Sequence, residues 1–211
     1  MDTLEKFFKP FRDNTIGRDY IFNTPYGEKK IIYSDWTASG RLYRPIEEAI
    51  AFKFGPYVGN THTETSVTGS TMTIAFHKAL EIIKEHVNAN SDDVILASGS
   101  GMTGAVNKFQ RILGLRVHEN FRDMVLPKGN DRPVVFITHM EHHSNHTSWL
   151  ESLVDLEIIK PTKEGTVDLE HFKTLVEKYK DRKLKIASVS ACSNVTGIMT
   201  PYFEISRIIH K

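Results

Sequence analysis

Positions 139 to 146 read His-Met-Glu-His-His-Ser-Asn-His, which sets four of the chain's ten histidines beside a carboxylate in one short block. An imidazole near neutral pH can take or give a proton, bind a metal or stack on a flat ring. His139, Glu141, His142, His143 and His146 are all competent ligands for zinc or a similar ion. Adjacent histidines at a strand end, however, point in different directions. The helical pairs His139/His143 and His142/His146 would need a helix that begins earlier than the preceding strand permits. No second carboxylate cluster supplies an obvious completing ligand. One functional histidine among several surface ones is therefore the expected arrangement, with a metal-dependent hydrolase built on the block as the alternative.

A second block, Ser98 to Gly104, reads Ser-Gly-Ser-Gly-Met-Thr-Gly between an apolar run and a helical pattern. Glycines let backbone N–H groups approach an anion at a helix N-terminus, and hydroxyls add donors, so phosphate binding is expected. A dinucleotide is not, because that motif needs an acidic residue about 20 positions on, at the end of the second strand. Here the first acidic residue after that strand is Glu141, 37 positions past Gly104.

The elements that must position these blocks alternate. Pro45 to Phe54 reads as a short helix. Met72, Ala75, Phe76, Ala79, Leu80, Ile83 and Val87 recur at helical spacing. Asp93 to Ala97 reads as a strand, Met102 to Leu113 as a helix, Val134 to Ile137 as a strand, and the region of Thr147 to Leu153 as a helix. Leu156 to Ile159 is a strand, and Leu169 to Tyr179 a helix with Asp168 as N-cap. Leu184 to Ser190 is a strand, Tyr202 to Ile209 a last helix, and Glu119 to Arg132 a long surface loop. Strand–helix repetition with nearly continuous apolar strands means an α/β fold of three layers, α/β/α, around a mostly parallel sheet. Such sheets bind ligands outside the carboxyl ends of their strands, where both blocks fall.

Composition sets the outer limits. The chain has 211 residues, 40% of them hydrophobic and 25% charged, which is ordinary for a globular protein. A net charge of +1 leaves no footprint for nucleic acid, and no apolar run reaches membrane-spanning length. The first residues show no basic segment followed by a hydrophobic one. The single cysteine, Cys192, cannot form an intrachain disulfide, so a reducing cytoplasm is the expected home.

A third block, Ser190 to Gly197, reads Ser-Ala-Cys-Ser-Asn-Val-Thr-Gly at a strand end. Before it, in order, come Tyr33 to Gly40 (Tyr-Ser-Asp-Trp-Thr-Ala-Ser-Gly), Gly59 to His62 (Gly-Asn-Thr-His), Gly101 to Asn107 and Met140 to Asn145. From about Ile31 to the last residue this resembles the class V aminotransferases of pyridoxal phosphate (PLP) fold type I, especially the cysteine desulfurase and selenocysteine lyase branch. The resemblance implies the large domain of that fold, PLP as cofactor, an amino acid as substrate and a homodimer. It implies that His142 is the imidazole that stacks on the PLP ring and shuttles protons, and that Asn194 is the amide that hydrogen-bonds the cofactor's phenolic oxygen. Gly101, Met102 and Thr103 fall where the family binds the phosphate; Met102 stands where Thr or Ser is usual and offers only its backbone N–H. Asn60 and His62 match positions near the substrate entrance, and Thr37 and Ala38 the segment lining the substrate pocket. Residues 1–44 are thus expected to be a segment lining that pocket, and 45–211 the N-terminal portion of the PLP-binding large domain.

The resemblance also implies what should follow. The family's next elements carry an Asp that pairs with the pyridinium nitrogen and the lysine that holds the cofactor covalently. Neither is expected within this chain. His77-Lys78 and His210-Lys211 repeat the family's His-Lys pair on helices at the wrong place in the order, and Cys192 is not at the position of the desulfurase cysteine. The expectation is an N-terminal part of such an enzyme, inactive alone. A non-catalytic binding module on the same fold is the further alternative.

Overall fold

A computed structural model describes residues 3–99 and 101–211, and these divide into two compact units, Met1–Leu96 and Ala97–Lys211. The first unit opens with a helix, α1 (Thr3–Asp13), that carries Phe7, Phe8 and Phe11, all half or more exposed. A two-stranded antiparallel hairpin follows, β1 (Ile21–Thr24) with β2 (Gly27–Lys30), paired Ile21 to Lys30 and Thr24 to Gly27. Neither element is expected from the polar, aromatic-rich sequence. The expected helix over Pro45–Phe54 forms as α2 (Arg44–Glu48) running into wider π-turns over Ala49–Phe54. The long helix α3 (Val67–His86) starts where the Ser66 hydroxyl accepts the Gly69 N–H at 3.1 Å, an N-cap.

The second unit begins with α4 (Met102–Ile112) and a single turn, α5 (Arg122–Val125), which occupies part of the expected 119–132 loop together with turns at Glu119–Phe121 and Gly129–Asp131. Then come β3 (Val134–Thr138), α6 (His143–Leu150), β4 (Asp155–Ile159), α7 (Leu169–Lys178), β5 (Lys185–Ala187) and α8 (Tyr202–Ile209). The sheet is parallel, in the order β4-β3-β5, with Val134 opposite both Asp155 and Lys185. Every residue of β3 is buried, which is why it reads as an unbroken apolar run.

Its side chains alternate between two cores. Val134 and Phe136 join Phe172 and Leu175 of α7 and Ile205 of α8, while Val135 and Ile137 join Val106 of α4 and Trp149 of α6. Helices thus cover both faces, in the three layers expected. The strand expected at 93–97 is absent: no described segment pairs with it, and Val94 and Leu96 are exposed. A strand exists only through inter-segment hydrogen bonds, so apolar residues without a partner edge do not make one. The expected strand 184–190 shortens to Lys185–Ala187, although the Ser188 N–H still donates to the Phe136 carbonyl at 2.9 Å.

Candidate active site

From β3 the chain crosses through α6 on one face to β4, returns through α7 on the other face to β5, and leaves through α8 on that same face. The connections after β3 and β5 therefore depart to opposite faces of the sheet. The crevice between their carboxyl ends is the switch point where open α/β sheets hold ligands. The histidine block follows β3 directly, and Ser190 to Gly197 follows β5.

The α6 helix begins at His143, four residues earlier than expected, because His142 itself caps it: its Nδ1 accepts the Ser144 N–H at 3.2 Å, with the Ser144 hydroxyl at 2.8 Å. An Nδ1 that accepts a backbone N–H carries no proton, so the neutral ring holds its proton at Nε2. The ring is exposed and Nε2 makes no hydrogen bond with the described residues. The other histidines diverge from it. His139 Nε2 donates to the Gly165 carbonyl at 3.0 Å, and the ring centres of His142 and His143 lie 6.4 Å apart. Glu141 turns toward β5 instead of toward the imidazoles. Its carboxylate accepts from Thr138 Oγ1 at 2.6 Å, Asn145 Nδ2 at 2.9 Å, the Ser190 N–H at 3.0 Å and Ser190 Oγ at 2.7 Å. Among the described residues no group of three or more His, Cys, Asp or Glu is placed to hold a metal ion.

Asn194 is held at the head of a tight turn. The Ser193 hydroxyl accepts the N–H groups of Val195 and Thr196 at 3.2 Å each, and the Gly197 N–H closes on the Ser193 carbonyl at 3.0 Å. Gly197 takes φ 73°, a conformation that favours glycine. The half-buried Asn194 amide makes no hydrogen bond with the described residues.

Gly101 is the N-cap of α4 and supplies no side-chain cap. The first intrahelical bond runs from the Ala105 N–H to the Gly101 carbonyl, so the N–H groups of Met102, Thr103 and Gly104 have no partner within the helix. Nothing lies within 4 Å of where a Gly101 side chain would project. The Gln110 amide of α4 donates to Ser148 Oγ of α6 at 3.0 Å, and the Leu115 carbonyl accepts the Leu153 N–H just before β4. α4 therefore ends at the amino ends of the strands and starts, like α6, from their carboxyl side.

The remaining expected site residues sit in the first unit. Thr37 and Ala38 form a turn in which the N–H groups of Ala38 and Ser39 donate to the Asp35 carbonyl. The His62 N–H donates to Thr73 Oγ1 of α3 at 3.0 Å, and its ring meets Phe76 edge-on at 6.0 Å; Asn60 is exposed nearby in sequence. No hydrogen bond among the described residues joins the Thr37/Ala38 turn to Asn60 or His62. Sequence reasoning did not find Asn145, Trp149, Ser188 or Ser190 as site residues. Trp149 Nε1 donates to Asn145 Oδ1 and Ser188 Oγ, both at 3.0 Å, and Asn145 Nδ2 donates to the Ser188 carbonyl at 2.9 Å. The available signal was the spacing of Glu141, Asn145 and Trp149, each four residues after the last.

An open parallel sheet with a helix start, an imidazole and an amide on its carboxyl side, each with groups that lack a partner among the described residues, is the layout of a cofactor- or nucleotide-binding α/β protein. Among known families, the one described as "Aminotransferase class-V" matches residues 32–211, and the chain belongs to it. It is 28% identical over 185 residues to a "Probable cysteine desulfurase" of Halalkalibacterium halodurans, covering 86% of this chain and 42% of that protein. A protein of the same name from Synechocystis is 25% identical over 202 residues, covering 93% of this chain and 44% of that one. The apo structure of a cysteine desulfurase from Thermococcus onnurineus shares the fold, with a TM-score of 0.62 at 19% identity over 85% of this chain and 41% of that one. The chain thus spans about two-fifths of the length of the relatives it matches.

Proposed function

We propose that this chain is the cofactor-binding part of a PLP-dependent enzyme that acts on an amino acid in the manner of a cysteine desulfurase. One observation carries the reading. The chain belongs to the class V family, and on the carboxyl side of its sheet the backbone N–H groups that open α4, the His142 Nε2 and the Asn194 amide have no hydrogen-bond partner among the described residues. These residues fit PLP: Gly101, Met102 and Thr103 would receive its phosphate, His142 its ring and Asn194 its phenolic oxygen. Bound PLP supplies an electron sink that weakens the bonds at an amino acid's α-carbon.

The chain's own groups do the rest. The N–H groups at the start of α4 neutralise an anion without a charged side chain. The α6 cap orients His142 and keeps its proton at Nε2, the atom placed to exchange it with a reacting group. Thr37, Ala38, Asn60 and His62 are proposed to line the substrate side, residues 1–44 forming its wall and 45–211 the cofactor domain. The whole enzyme is proposed to be a cytoplasmic homodimer.

Titration of the chain with PLP, followed by fluorescence, tests this. Expected is saturable binding that His142→Ala weakens by about tenfold, the equivalent of one good contact. His143→Ala and His146→Ala should change it less than about twofold. Equal effects of all three substitutions, or no saturable binding, would refute the reading.

A further inference from the structure

We propose that Glu141 is a positioning residue: it clasps the end of β3 to the end of β5 and thereby fixes the protonation site of the neighbouring His142 imidazole. The inference rests on the assignment of His142 above, but its primary test does not require the cofactor.

The carboxylate is unusual in what it faces. Its Oε1 accepts from Thr138 Oγ1 at 2.6 Å and from the Ser190 N–H at 3.0 Å. Its Oε2 accepts from Ser190 Oγ at 2.7 Å, the same N–H at 3.0 Å and Asn145 Nδ2 at 2.9 Å. Every one of these donors is neutral. A half-buried carboxylate satisfied by uncharged donors alone is held by geometry, its two hydroxyl donors at 2.6 and 2.7 Å being the closest.

The donors come from three places in the fold. Thr138 is the last residue of β3, Asn145 lies in the first turn of α6, and Ser190 stands beyond the end of β5, 49 residues away in sequence. Glu141 therefore spans the switch-point crevice itself. Thr138 Oγ1 also accepts the Met140 N–H at 3.2 Å, which fixes the turn leading into the clasp.

The consequence for His142 follows from its place inside this bracket. Glu141 and Asn145 are joined across it, and its Nδ1 cap onto the Ser144 N–H is made between them. Asn145 cannot turn away. Its Nδ2 donates to Glu141 and to the Ser188 carbonyl, and its Oδ1 accepts from Trp149 Nε1 and from Ser188 Oγ at 2.8 Å. All four hydrogen-bonding capacities of the amide are used. With both flanks pinned, the cap onto the Ser144 N–H stays in place and holds the ring as the Nε2–H form. An amide at 141 would break this, because one of its two ends is a donor facing the Ser190 N–H and other donors.

The test is Glu141→Gln, read by NMR of the His142 ring nitrogens in the chain without cofactor. The unchanged chain should show His142 as a single Nε2–H tautomer near neutral pH. In folded Glu141→Gln, verified by circular dichroism, the signals should move toward a mixture of both tautomers. Affinity for PLP should fall by about tenfold in parallel. Ser190→Ala keeps the carboxylate and the backbone N–H while removing one hydroxyl. It should shift the tautomer in the same direction to a smaller degree, and it decides the matter if Glu141→Gln does not fold. A merely structural clasp would lower the melting temperature in both variants and leave His142 in the Nε2–H form, which would overturn the proposal. So would an unchanged chain whose His142 is not in that form. If the unchanged chain fails to bind PLP, the functional reading falls, while the tautomer result still decides the role of Glu141.

Discussion

At position 142 the imidazole engages its Nδ1 in the helix cap and leaves Nε2 free among the described residues, whereas His139 engages its Nε2 instead. A second asymmetry distinguishes Asn194 from Asn145. Asn145 is saturated with protein partners, whereas the Asn194 amide has none among the described residues. Asn194→Ala should therefore leave the melting temperature within about 1 °C, while PLP affinity falls by roughly three- to tenfold, the loss of one neutral hydrogen bond. Asn145→Ala should do the opposite first, destabilising the fold by about 2 kcal/mol because Trp149, Ser188 and Glu141 each lose a partner. Calorimetry alongside titration separates the two. The sequence singles out His142 and Asn194 as candidates because their motifs stand in a fixed order. It hid the contacts of Glu141, since a carboxylate in a histidine block reads as a ligand until Ser190 is seen against it.

The elements differ in how much of their origin lies within themselves. The bounds of α7 and α8 are readable almost to the residue: their apolar stripes are regular, and Asp168 caps α7 by accepting the His171 N–H at 2.9 Å. The start of α6 is not, because histidine is an uncommon cap and its effect depends on a ring orientation that no pattern encodes. The apolar run at 93–97 looks like a strand yet lacks a pairing edge among the described residues, a property no local window contains.

Packing within the second unit yields direct expectations. Phe172 is fully buried and meets Phe136 edge-on at 5.4 Å, so Phe172→Ala should cost about 3–5 kcal/mol in denaturant unfolding. Where α7 crosses β4, Glu157 accepts from Lys178 Nζ at 2.6 Å and from the Tyr179 hydroxyl at 2.5 Å. Burial would push this carboxyl up, but those hydrogen bonds and the lysine charge outweigh it and hold it below its ordinary value. A depressed carboxyl stabilises the fold above its unfolded-state titration and loses that contribution as pH falls through the folded one. Glu157→Gln should thus cost roughly 0.5–1 kcal/mol at neutral pH, discounted for the exposure of Lys178, and nothing once the carboxyl is protonated in acid. Equal penalties in neutral and acid solution would contradict the assignment.

Across the whole molecule the two units are unequal. Among the described residues the buried hydrophobic ones run from Val106 to Ile205, all in the second unit, whereas Phe7, Phe8, Phe11, Ile32, Trp36 and Phe52 of the first are exposed. Exposed aromatic surface of this kind marks contacts made elsewhere or a region of low local stability. Hydrogen exchange should find the amides of β3 the slowest in the chain and those of α1 and the β1–β2 hairpin among the fastest; uniform protection would contradict this. The division at Leu96 also falls just before the glycine loop, so the cofactor reading can be examined on the second unit's residues within the intact chain. The most direct measurement is an NMR map of the amide-labelled chain titrated with pyridoxamine phosphate, which carries the phosphate and ring of PLP but cannot react with lysines. The expected result is saturable shifts at the backbone amides of Met102, Thr103 and Gly104, the His142 ring and the Asn194 side chain, with none at His143 or His146. Shifts scattered over surface lysines, or confined to other histidines of the block, would contradict a PLP site between the ends of β3 and β5.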